Sequence, residues 1–250
     1  YTFTATYEGK RLAAPVITWK PIYDKGFYDN TYKVLVNKYE VYSNTVTNNT
    51  PKPPKPVKAV LDRSGKDING ATTFDRNVTF RLMTDYSPYT KTLASAQALG
   101  KKFGILDDVQ DGAFSVYQGN IKMTAAGQDV KNIFDMYHVL SDKGRTDAIK
   151  NILKELNLNP KGEFYLWVAK DSKSFYQNYV KKNKNVTIDL PAKLLVKAGE
   201  KVENNFKQID FGNSYQSNLV TVEVPNVKPE KHVLDRTGKK VLDGKEVQLG

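Results

Sequence analysis

A lysine and an asparagine near the two ends of a long repeating unit could react with each other. Lys58 lies in "VKAVLD" and Asn218 in "SNLVTV", both beside apolar residues. A lysine amine attacks a carboxamide only when it is neutral, and burial favours the neutral amine by lowering the lysine pKa. A protonated carboxylic acid in the same pocket would polarise the amide carbonyl. The product would be an isopeptide bond with loss of ammonia; the alternative is two ordinary solvated side chains.

A seven-residue string that occurs twice marks this unit. "VLDRSGK" begins at Val60 and "VLDRTGK" at Val233, 173 residues later, and each copy follows a lysine by two positions. A second pair of strings, "YSNTV" and "QSNLV", places Ser-Asn at 43–44 and again at 217–218. A period of this length predicts a linear array of homologous domains rather than a solenoid of short repeats.

Proline-rich stretches place the domain boundaries. "NNTPKPPKPVK" combines clustered prolines with lysines, which favours an extended linker. We predict the C-terminal part of one domain over 1–50, a proline- and lysine-rich linker over 51–57, a complete domain over 58–228 and the start of a third domain over 229–250. The opening "YTFTATYEG" is typical of the interior of a longer protein.

Short strands dominate the predicted secondary structure. "NVTFRLMTD" alternates apolar and polar residues, which predicts a half-buried strand, and "EFYLWVAK" is apolar on both faces, which predicts a strand buried on both sides. Helical spacing predicts helices in "DVKNIFDMYHVL" and "TDAIKNILKELN", and a third, short helix after Asp171. The fold class is therefore mainly β, a β-sandwich with helical insertions between strands.

Composition excludes several kinds of site. The chain has no cysteine, so disulfides and thiolate chemistry are absent, and His138 and His232 are its two histidines. No nucleotide-binding or hydrolase motif is present. The net charge of +11 would attract nucleic acid, but the lysines are spread along the chain. No apolar run reaches the ~18 residues that suggest a membrane span, so we predict no membrane partner. A carbohydrate-active enzyme module and a basic nucleic-acid-binding module are the alternatives to a structural role.

Three carboxylates close together in "ILDDVQDGAF" are candidate calcium ligands. Asp107, Asp108 and Asp111 supply the hard oxygens that Ca²⁺ prefers, and extracellular modules often hold calcium at low affinity. A solvated acidic turn is the alternative. Calcium is the one cofactor that the sequence suggests, and calorimetric titration at millimolar calcium separates the two interpretations.

The longer motifs resemble a known family. The run "FKQIDFGNSYQSNLVTVEVPNVKP", the linker "SNTVTNNTPKPPKP" and the strand "VTFRLMTDYSPY" resemble the C-terminal domains of the antigen I/II family. These are wall-anchored fibrillar adhesins of streptococci, related to enterococcal aggregation substances. The resemblance implies elongated immunoglobulin-like β-sandwich domains with extra strands and short helices, in a tandem array.

The resemblance also implies roles for particular residues. In that family a Lys-Asn isopeptide bond, assisted by an aspartate, staples each domain. By position Lys58 matches the lysine, Asn218 the asparagine, and Asp85 in "LMTDYSPY" the assisting acid, with Asp75 as its rival. The family strand usually carries tryptophan before that aspartate, whereas this chain has Thr84.

Two further positions follow from the same resemblance. Asn44 and Lys231 would be orphan cross-link positions whose partners lie outside the sequence. The family implies an extracellular, peptidoglycan-anchored, monomeric stalk that takes part in adhesion and biofilm formation. Its implied partners are host glycoproteins such as salivary agglutinin, matrix proteins or other microbes.

Overall fold

The chain forms two compact units in a computed structural model that describes residues 27–36, 38–49 and 52–246. The division between the units falls between Pro53 and Pro54, inside the predicted linker. The structure does not describe residues 1–26, 37, 50, 51 and 247–250. Residue 51 is the first residue of the predicted linker, and the residues before it belong to the predicted first domain.

The first unit consists of two antiparallel strand pairs. Strand β1 (Phe27–Asn30) pairs with β4 (Val46–Asn49), and β2 (Lys33–Val36) pairs with β3 (Tyr39–Tyr42). Strands β2 and β3 thus form a hairpin, which the chain enters from β1 and leaves toward β4.

The second unit contains most of the strands and all three α-helices of the described ranges. Its strands are β5 (Val57–Leu61), β6 (Ala71–Thr72), β7 (Asn77–Met83), β8 (Gly104–Asp108), β9 (Phe114–Val116), β10 (Lys122–Ala125), β11 (Gln128–Asp129), β12 (Phe134–Val139), β13 (Phe164–Ala169), β14 (Val186–Leu194), β15 (Lys201–Asn204), β16 (Lys207–Asp210), β17 (Asn213–Gln216) and β18 (Val220–Glu223). Its helices are α1 (Ala96–Leu99), α2 (Asp147–Glu155) and α3 (Ser172–Phe175), the last continued by a π-helical turn over Tyr176–Val180. Among the described residues no helix has both the length and the apolar character needed to cross a bilayer.

Three sheets build the second unit. The first sheet has the order β11-β10-β14-β7-β5, with β9 also paired to β14; the second has the order β12-β13-β8-β16-β17; the third has the order β15-β18-β6. All pairings are antiparallel except β18 with β6. Val60 and Phe80 of the first sheet share one buried core with Ile105 and Trp167 of the second. The predicted mainly-β sandwich fold is confirmed.

A smaller core lies on the opposite face of the second sheet. Helix α2 packs Ile149 and Leu153 against Leu106 and Leu166, and the Thr146 side chain accepts a hydrogen bond from the N–H of Ile149 at the start of this helix. Strand β13 therefore has apolar contacts on both faces, and all six of its residues are buried. The strand predicted from "EFYLWVAK" and the helix predicted from "TDAIKNILKELN" are both confirmed, as is the short helix after Asp171.

The helix predicted from "DVKNIFDMYHVL" is wrong. A 3₁₀ turn over Lys131–Ile133 leads into strand β12, which pairs along its full length with β13. The apolar residues fit helical spacing, but the edge of β13 offers unpaired backbone groups that a strand satisfies and a helix does not. Tertiary pairing therefore outweighs the local periodicity.

Both copies of the repeated string fold into the same turn. In the first copy a carboxylate oxygen of Asp62 accepts hydrogen bonds from the backbone N–H and the hydroxyl of Ser64. In the second copy a carboxylate oxygen of Asp235 accepts from the same two groups of Thr237. The glycine that follows has a positive φ in both copies, 84° at Gly65 and 70° at Gly238, a conformation that glycine adopts without steric cost. The string is therefore a structural repeat as well as a sequence repeat.

Candidate functional site

Lys58 points into the main core of the second unit. It lies on β5 opposite Leu82 and on the same face as Val60, which is fully buried. The Lys58 side chain is 0% exposed, and its Nζ lies 5.5 Å from the centre of the Phe80 ring. Lysine is almost never fully buried without a partner, so this side chain requires one.

Asp107 is that partner. The Lys58 Nζ donates to both carboxylate oxygens of Asp107, at 2.7 and 2.8 Å, and the Asp107 side chain is also 0% exposed. Asp107 lies on β8 of the second sheet, on the same face as Ile105 and opposite Tyr165. The contact between Lys58 and Asp107 therefore crosses the core from one sheet of the sandwich to the other.

Burial shifts the pKa values of both groups toward their neutral forms. Loss of solvation lowers the pKa of Lys58 to about 8, although the charge of Asp107 opposes that shift. Loss of solvation likewise raises the pKa of the Asp107 carboxyl, against the opposing effects of Lys58 and of the Asn204 side chain. A neutral amine beside a protonated acid is the state in which an amine acts as a nucleophile.

Asn204 is the third member of the cluster. It ends β15 on the same face as Val202 and is 3% exposed. Neither atom of its carboxamide makes a hydrogen bond within 3.5 Å in the described part of the chain, although the amide lies near enough to Asp107 to lower the pKa of that carboxyl. The Lys58 Nζ also donates to the backbone carbonyl of Asn205, at 3.3 Å. A buried amide that lacks a hydrogen bond of normal length costs about 1–3 kcal/mol, so its position beside Asp107 requires an explanation.

Asn218 contacts Lys58 in a different way. The Lys58 N–H donates to Asn218 Oδ1 at 2.8 Å, and Asn218 Nδ2 donates to the Lys58 carbonyl at 2.9 Å. The side-chain amide thus pairs with the backbone of β5 as a neighbouring strand would. The structure brings Asn218 to the backbone of Lys58 and brings Asn204 toward the Lys58–Asp107 pair.

The two aspartates predicted as assisting acids have other contacts. Asp85 accepts a hydrogen bond from the N–H of Lys55 at 2.9 Å and from Ser87. Asp75 pairs with Arg63 and accepts from the backbone of residue 77. The carboxylate that meets the Lys58 amine is that of Asp107, which the sequence suggested as a calcium ligand.

The remaining acids of the predicted calcium loop are held by backbone groups. Asp108 accepts from the N–H of Lys161 at 3.3 Å, and Asp111 accepts from the N–H of Glu163 at 2.7 Å. Among the described residues, no three acidic or histidine side chains are arranged to hold a metal ion. Calcium binding at Asp108 stays a prediction. An open cavity of ≈ 450 Å³ lies between this loop and the third sheet, lined by Asp108, Val109, Gln110, Lys201, Glu203, Asn204, Asn205 and Leu219.

Both histidines have defined partners. His138 lies on β12 rather than on the predicted helix, contacts Glu163 at 2.7 Å and stacks on the Tyr165 ring at 4.1 Å. His232, to which the sequence assigned no partner, contacts Asp243 at 2.6 Å. In the strand register Tyr165 lies between His138 and Asp107.

The two predicted orphan positions are exposed. Asn44 and Lys231 both lie at the surface, and the backbone carbonyl of Asn44 accepts a hydrogen bond from the Ser43 hydroxyl at 2.8 Å. Whether either residue is cross-linked stays a prediction.

Two signals in the sequence could have identified Asp107 and Asn204. In "GILDDV" the residues Ile105 and Asp107 are two apart, as are Val202 and Asn204 in "KVENN". In a strand, residues two apart share a face, so a core-facing apolar residue places the polar residue in the core. The shared Ser-Asn strings drew the prediction to Asn218 instead, fourteen residues beyond Asn204.

A second buried carboxyl gives this unit a distinct pH dependence. Asp210 is 0% exposed; one of its oxygens accepts from Gln208 and Tyr89, and the other has no hydrogen bond. Burial raises the pKa of Asp210 to about 7, although the hydrogen bonds from Gln208 and Tyr89 lower it. The folded state therefore binds this proton more tightly than the unfolded state does.

We expect the free energy of unfolding to fall as the pH rises from 4 to 7.5, by about 4 kcal/mol from Asp210 alone. The stabilisation from Asp210 is present in full below the pKa that this carboxyl has in the unfolded state. It is lost as the pH rises through the pKa that the carboxyl has in the folded state. Guanidinium unfolding across this range should show a smaller slope in Asp210→Asn than in the wild type. An equal slope in both proteins would show that Asp210 is not its source.

Comparison with known proteins connects this geometry to a family. Residues 56–224 match the sequence profile of the cell surface antigen I/II C2 terminal domain. The chain is 28% identical over 229 residues, 90% of its length, to an aggregation substance of Enterococcus faecalis.

Solved structures give the same result. The C-terminal domain of the Streptococcus pyogenes antigen I/II-family protein AspA aligns with 79% of this chain and 60% of its own, at 32% identity and a TM-score of 0.65. The C-terminal domain of the Streptococcus agalactiae antigen I/II polypeptide BspA aligns with 78% of this chain and 57% of its own, at 32% identity and a TM-score of 0.61. The chain spans 16% of the length of the enterococcal relative.

Proposed function

Because the chain belongs to the cell surface antigen I/II family through its C2 terminal domain, we propose that it is a stalk segment of a fibrillar surface adhesin. In this proposal an isopeptide bond between Lys58 and Asn204, which the domain forms by itself, staples the second unit. The contact that carries the proposal is the fully buried pair of Lys58 and Asp107 beside a buried carboxamide without hydrogen bonds.

The reaction needs no group from outside the cluster. A proton passes from the Lys58 ammonium to the Asp107 carboxylate, which leaves a neutral amine and a carboxylic acid. The Nζ lone pair attacks Cγ of Asn204 while Asp107 donates a hydrogen bond to the amide oxygen. Asp107 then gives its proton to the departing nitrogen and takes one from Nζ in its place, so that it ends the reaction as a carboxylic acid. The Nζ–Cγ bond forms, the Cγ–Nδ2 bond breaks, and one ammonia is released.

Several features favour Asn204 as the electrophile. The Asn218 carboxamide is engaged through both its polar atoms by the Lys58 backbone, whereas the Asn204 carboxamide makes no hydrogen bond within 3.5 Å and interacts with Asp107. The cavity that Asn204 lines offers ammonia a polar route to solvent. Asn218, in turn, holds the backbone of Lys58 in register at the edge of β5.

The bond suits a protein under tension. It joins β5, the first strand of the second unit, to β15, which pairs with the last strand, β18. Force that enters at the proline-rich linker would pass across the bond and bypass the 146 residues from Lys58 to Asn204. A chain without cysteine would gain in this way the mechanical closure that disulfides give other extracellular domains.

The location and partners of the whole protein belong to the same proposal. Family membership supports an extracellular position on a Gram-positive cell wall, with an anchor outside this chain. It also supports adhesion to host glycoproteins such as salivary agglutinin, to matrix proteins or to other microbes. This segment would carry the binding regions away from the cell rather than form their binding site.

Single-molecule pulling tests the stalk function. When the second unit is pulled from its two ends, we expect the wild type to lack the extension of about 500 Å that 146 residues would release at ~3.4 Å per residue. Asn204→Ala should show that extension, and the matched control Asn218→Ala should not. A wild-type step of this length would rule out the Lys58–Asn204 bond as a mechanical staple.

A further inference from the structure

The serine of the repeated Ser-Asn string joins two places where the chain passes from one sheet to another. Strands β15 and β18 belong to the third sheet and β16 and β17 to the second, so the chain crosses between these sheets at 205–206 and at 217–219. The Phe206 N–H donates to the Ser217 hydroxyl oxygen at 3.0 Å, and the Ser217 N–H donates to the Phe206 carbonyl at 2.9 Å. The Ser217 hydroxyl donates to the Asn218 carbonyl at 2.9 Å. We call these three hydrogen bonds the serine clamp.

The first crossing lies between the electrophile and the acid of the proposed reaction. Asn204 ends β15 immediately before the crossing, and β16, which follows it, pairs with β8, the strand that carries Asp107. Within the crossing, the carbonyl of Asn205 accepts the hydrogen bond from the Lys58 Nζ at 3.3 Å. The path of the backbone through the crossing therefore sets where the Asn204 carboxamide and the Asn205 carbonyl lie relative to Asp107.

The clamp is buried together with the groups that it holds. Phe206 is 1% exposed and Ser217 is 8% exposed. A buried backbone N–H without an acceptor is costly, and such groups are almost always paired in native structures. Loss of the Ser217 hydroxyl would leave the Phe206 N–H without its acceptor, so we expect the first crossing to shift toward another one.

The first unit forms the same clamp outside any buried cluster. The Ser43 N–H donates to the Tyr32 carbonyl at 2.8 Å, and the Tyr32 N–H donates to the Ser43 hydroxyl oxygen at 2.9 Å. The Ser43 hydroxyl donates to the Asn44 carbonyl at 2.8 Å. Ser43 is partly exposed, and Tyr32 and Asn44 are exposed. The clamp therefore belongs to the way the strands connect, and it does not require the burial that the reacting groups have.

We infer that Ser217 is a positioning residue for the isopeptide bond. Through the serine clamp it holds the first crossing so that the Asn204 carboxamide and the Asn205 carbonyl both face the Lys58 amine. The inference rests on the proposed Lys58–Asn204 bond. Ser217 acts through the backbone, since its hydrogen bonds go to backbone groups of Phe206 and of the following residue. Groups that are held in place in this way supply the orientation on which such a reaction depends.

This role accounts for the recurrence of the Ser-Asn string. Asn218 holds the backbone of Lys58 through both atoms of its carboxamide, and Ser217 holds the backbone that follows Asn204. Two adjacent residues thus fix the strand of the nucleophile and the crossing next to the electrophile.

The rate of bond formation tests this role. The chain is made by cell-free synthesis, synthesis is stopped, and the fraction of chains with the deficit of about 17 Da is measured by intact mass at intervals. We expect Ser217→Ala to form the bond roughly 10- to 100-fold more slowly than the wild type, because a misplacement of about 1 Å can cost about 100-fold in rate. Ser217→Thr keeps the hydroxyl and should react at close to the wild-type rate. The measurement is made at a temperature at which circular dichroism shows each purified variant folded.

Thr84→Val is the matched control. The Val186 N–H donates to the Thr84 hydroxyl oxygen at 2.8 Å, and the Thr84 N–H donates to the Val186 carbonyl at 3.0 Å. Thr84 is 4% exposed, so its contacts match those of Ser217 in kind and in burial but join the end of β7 to β14 within the first sheet. We expect Thr84→Val to form the bond at the wild-type rate. An equal slowing in Thr84→Val and Ser217→Ala would overturn the inference, because it would assign the effect to a general loss of stability.

Amide hydrogen exchange tests the clamp without a change at Ser217. Asn204→Ala cannot form the bond, and in this variant we expect the Phe206 N–H to exchange slowly because the clamp is formed before the reaction. Free exchange of this N–H in the folded variant would overturn the inference.

The outcomes separate the inference from the proposed function. Bond formation in Ser217→Ala at the wild-type rate, or equal slowing in Ser217→Thr and Ser217→Ala, would overturn the role of Ser217 and leave the Lys58–Asn204 bond standing. A wild type that never acquires the deficit would overturn the inference and the proposed function together.

Discussion

Replacement of Asn204 with alanine is expected to lower the free energy of unfolding of the second unit by about 5 kcal/mol. The reason is that a cross-link between Lys58 and Asn204 restricts the unfolded chain over 146 residues, which is worth about that much in the chain-entropy treatment of cross-links. For a domain of this size the melting temperature should fall by roughly 10–20 °C. Calorimetric melting of the wild type and the variant measures the difference.

Asn204→Ala isolates the bond because it leaves the ion pair between Lys58 and Asp107 in place. Asn218→Ala is the matched control, since it removes a carboxamide that contacts Lys58 through the backbone alone. We expect this control to lose only the two hydrogen bonds, about 1–3 kcal/mol. A larger loss in Asn218→Ala than in Asn204→Ala would favour Asn218 as the cross-linked residue.

Replacement of Asp107 is expected to have the larger effect. Asp107→Ala removes the acid that moves the proton, so no bond forms, and it also leaves the Lys58 amine without its buried partner. Breaking a buried pair in this way costs about 3–5 kcal/mol, in addition to the ~5 kcal/mol of the bond. Since the stability of a whole domain is typically ~5–15 kcal/mol, this variant should be partly or wholly unfolded at 37 °C by circular dichroism.

Asp107→Asn separates the chemistry from the folding. The asparagine keeps the size of the side chain and an oxygen that accepts from Lys58, so we expect the domain to fold without the bond. Asp85→Asn is the matched control, because Asp85 contacts the linker backbone at Lys55 rather than the Lys58 amine. A cross-link in Asp107→Asn, or the loss of the cross-link in Asp85→Asn, would contradict the role assigned to Asp107.

Local periodicity predicted two of the strands in the second unit. The alternation in "NVTFRLMTD" corresponds to β7, where every second residue is buried, and the doubly apolar "EFYLWVAK" corresponds to β13. The sequence did not predict β12, because the choice between helix and strand over 134–139 depends on the free edge of β13. That edge exists only once the sheet has formed.

The site was predicted in part. Lys58 was found from its place in the repeat and its apolar neighbours, and it is buried as the chemistry requires. The sequence placed the other two members of the cluster elsewhere, since three side chains from three different sheets meet only in the folded core. Asp107 lies 49 residues from Lys58 and belongs to an acidic string that suggested calcium. Asn204 lies in a string that no chemical motif distinguishes, and its proposed role rests on its burial and on the lack of a hydrogen bond within 3.5 Å.

The intact mass of the purified chain tests the central claim most directly. We expect the wild type to weigh about 17 Da less than its sequence, the mass of the one ammonia lost in forming the bond. Lys58→Ala, Asp107→Asn and Asn204→Ala should each match their unmodified sequence masses, while Asn218→Ala should keep the deficit. A wild-type mass equal to that of the sequence would contradict the isopeptide bond, and a deficit retained in Asn204→Ala would contradict the assignment of Asn204.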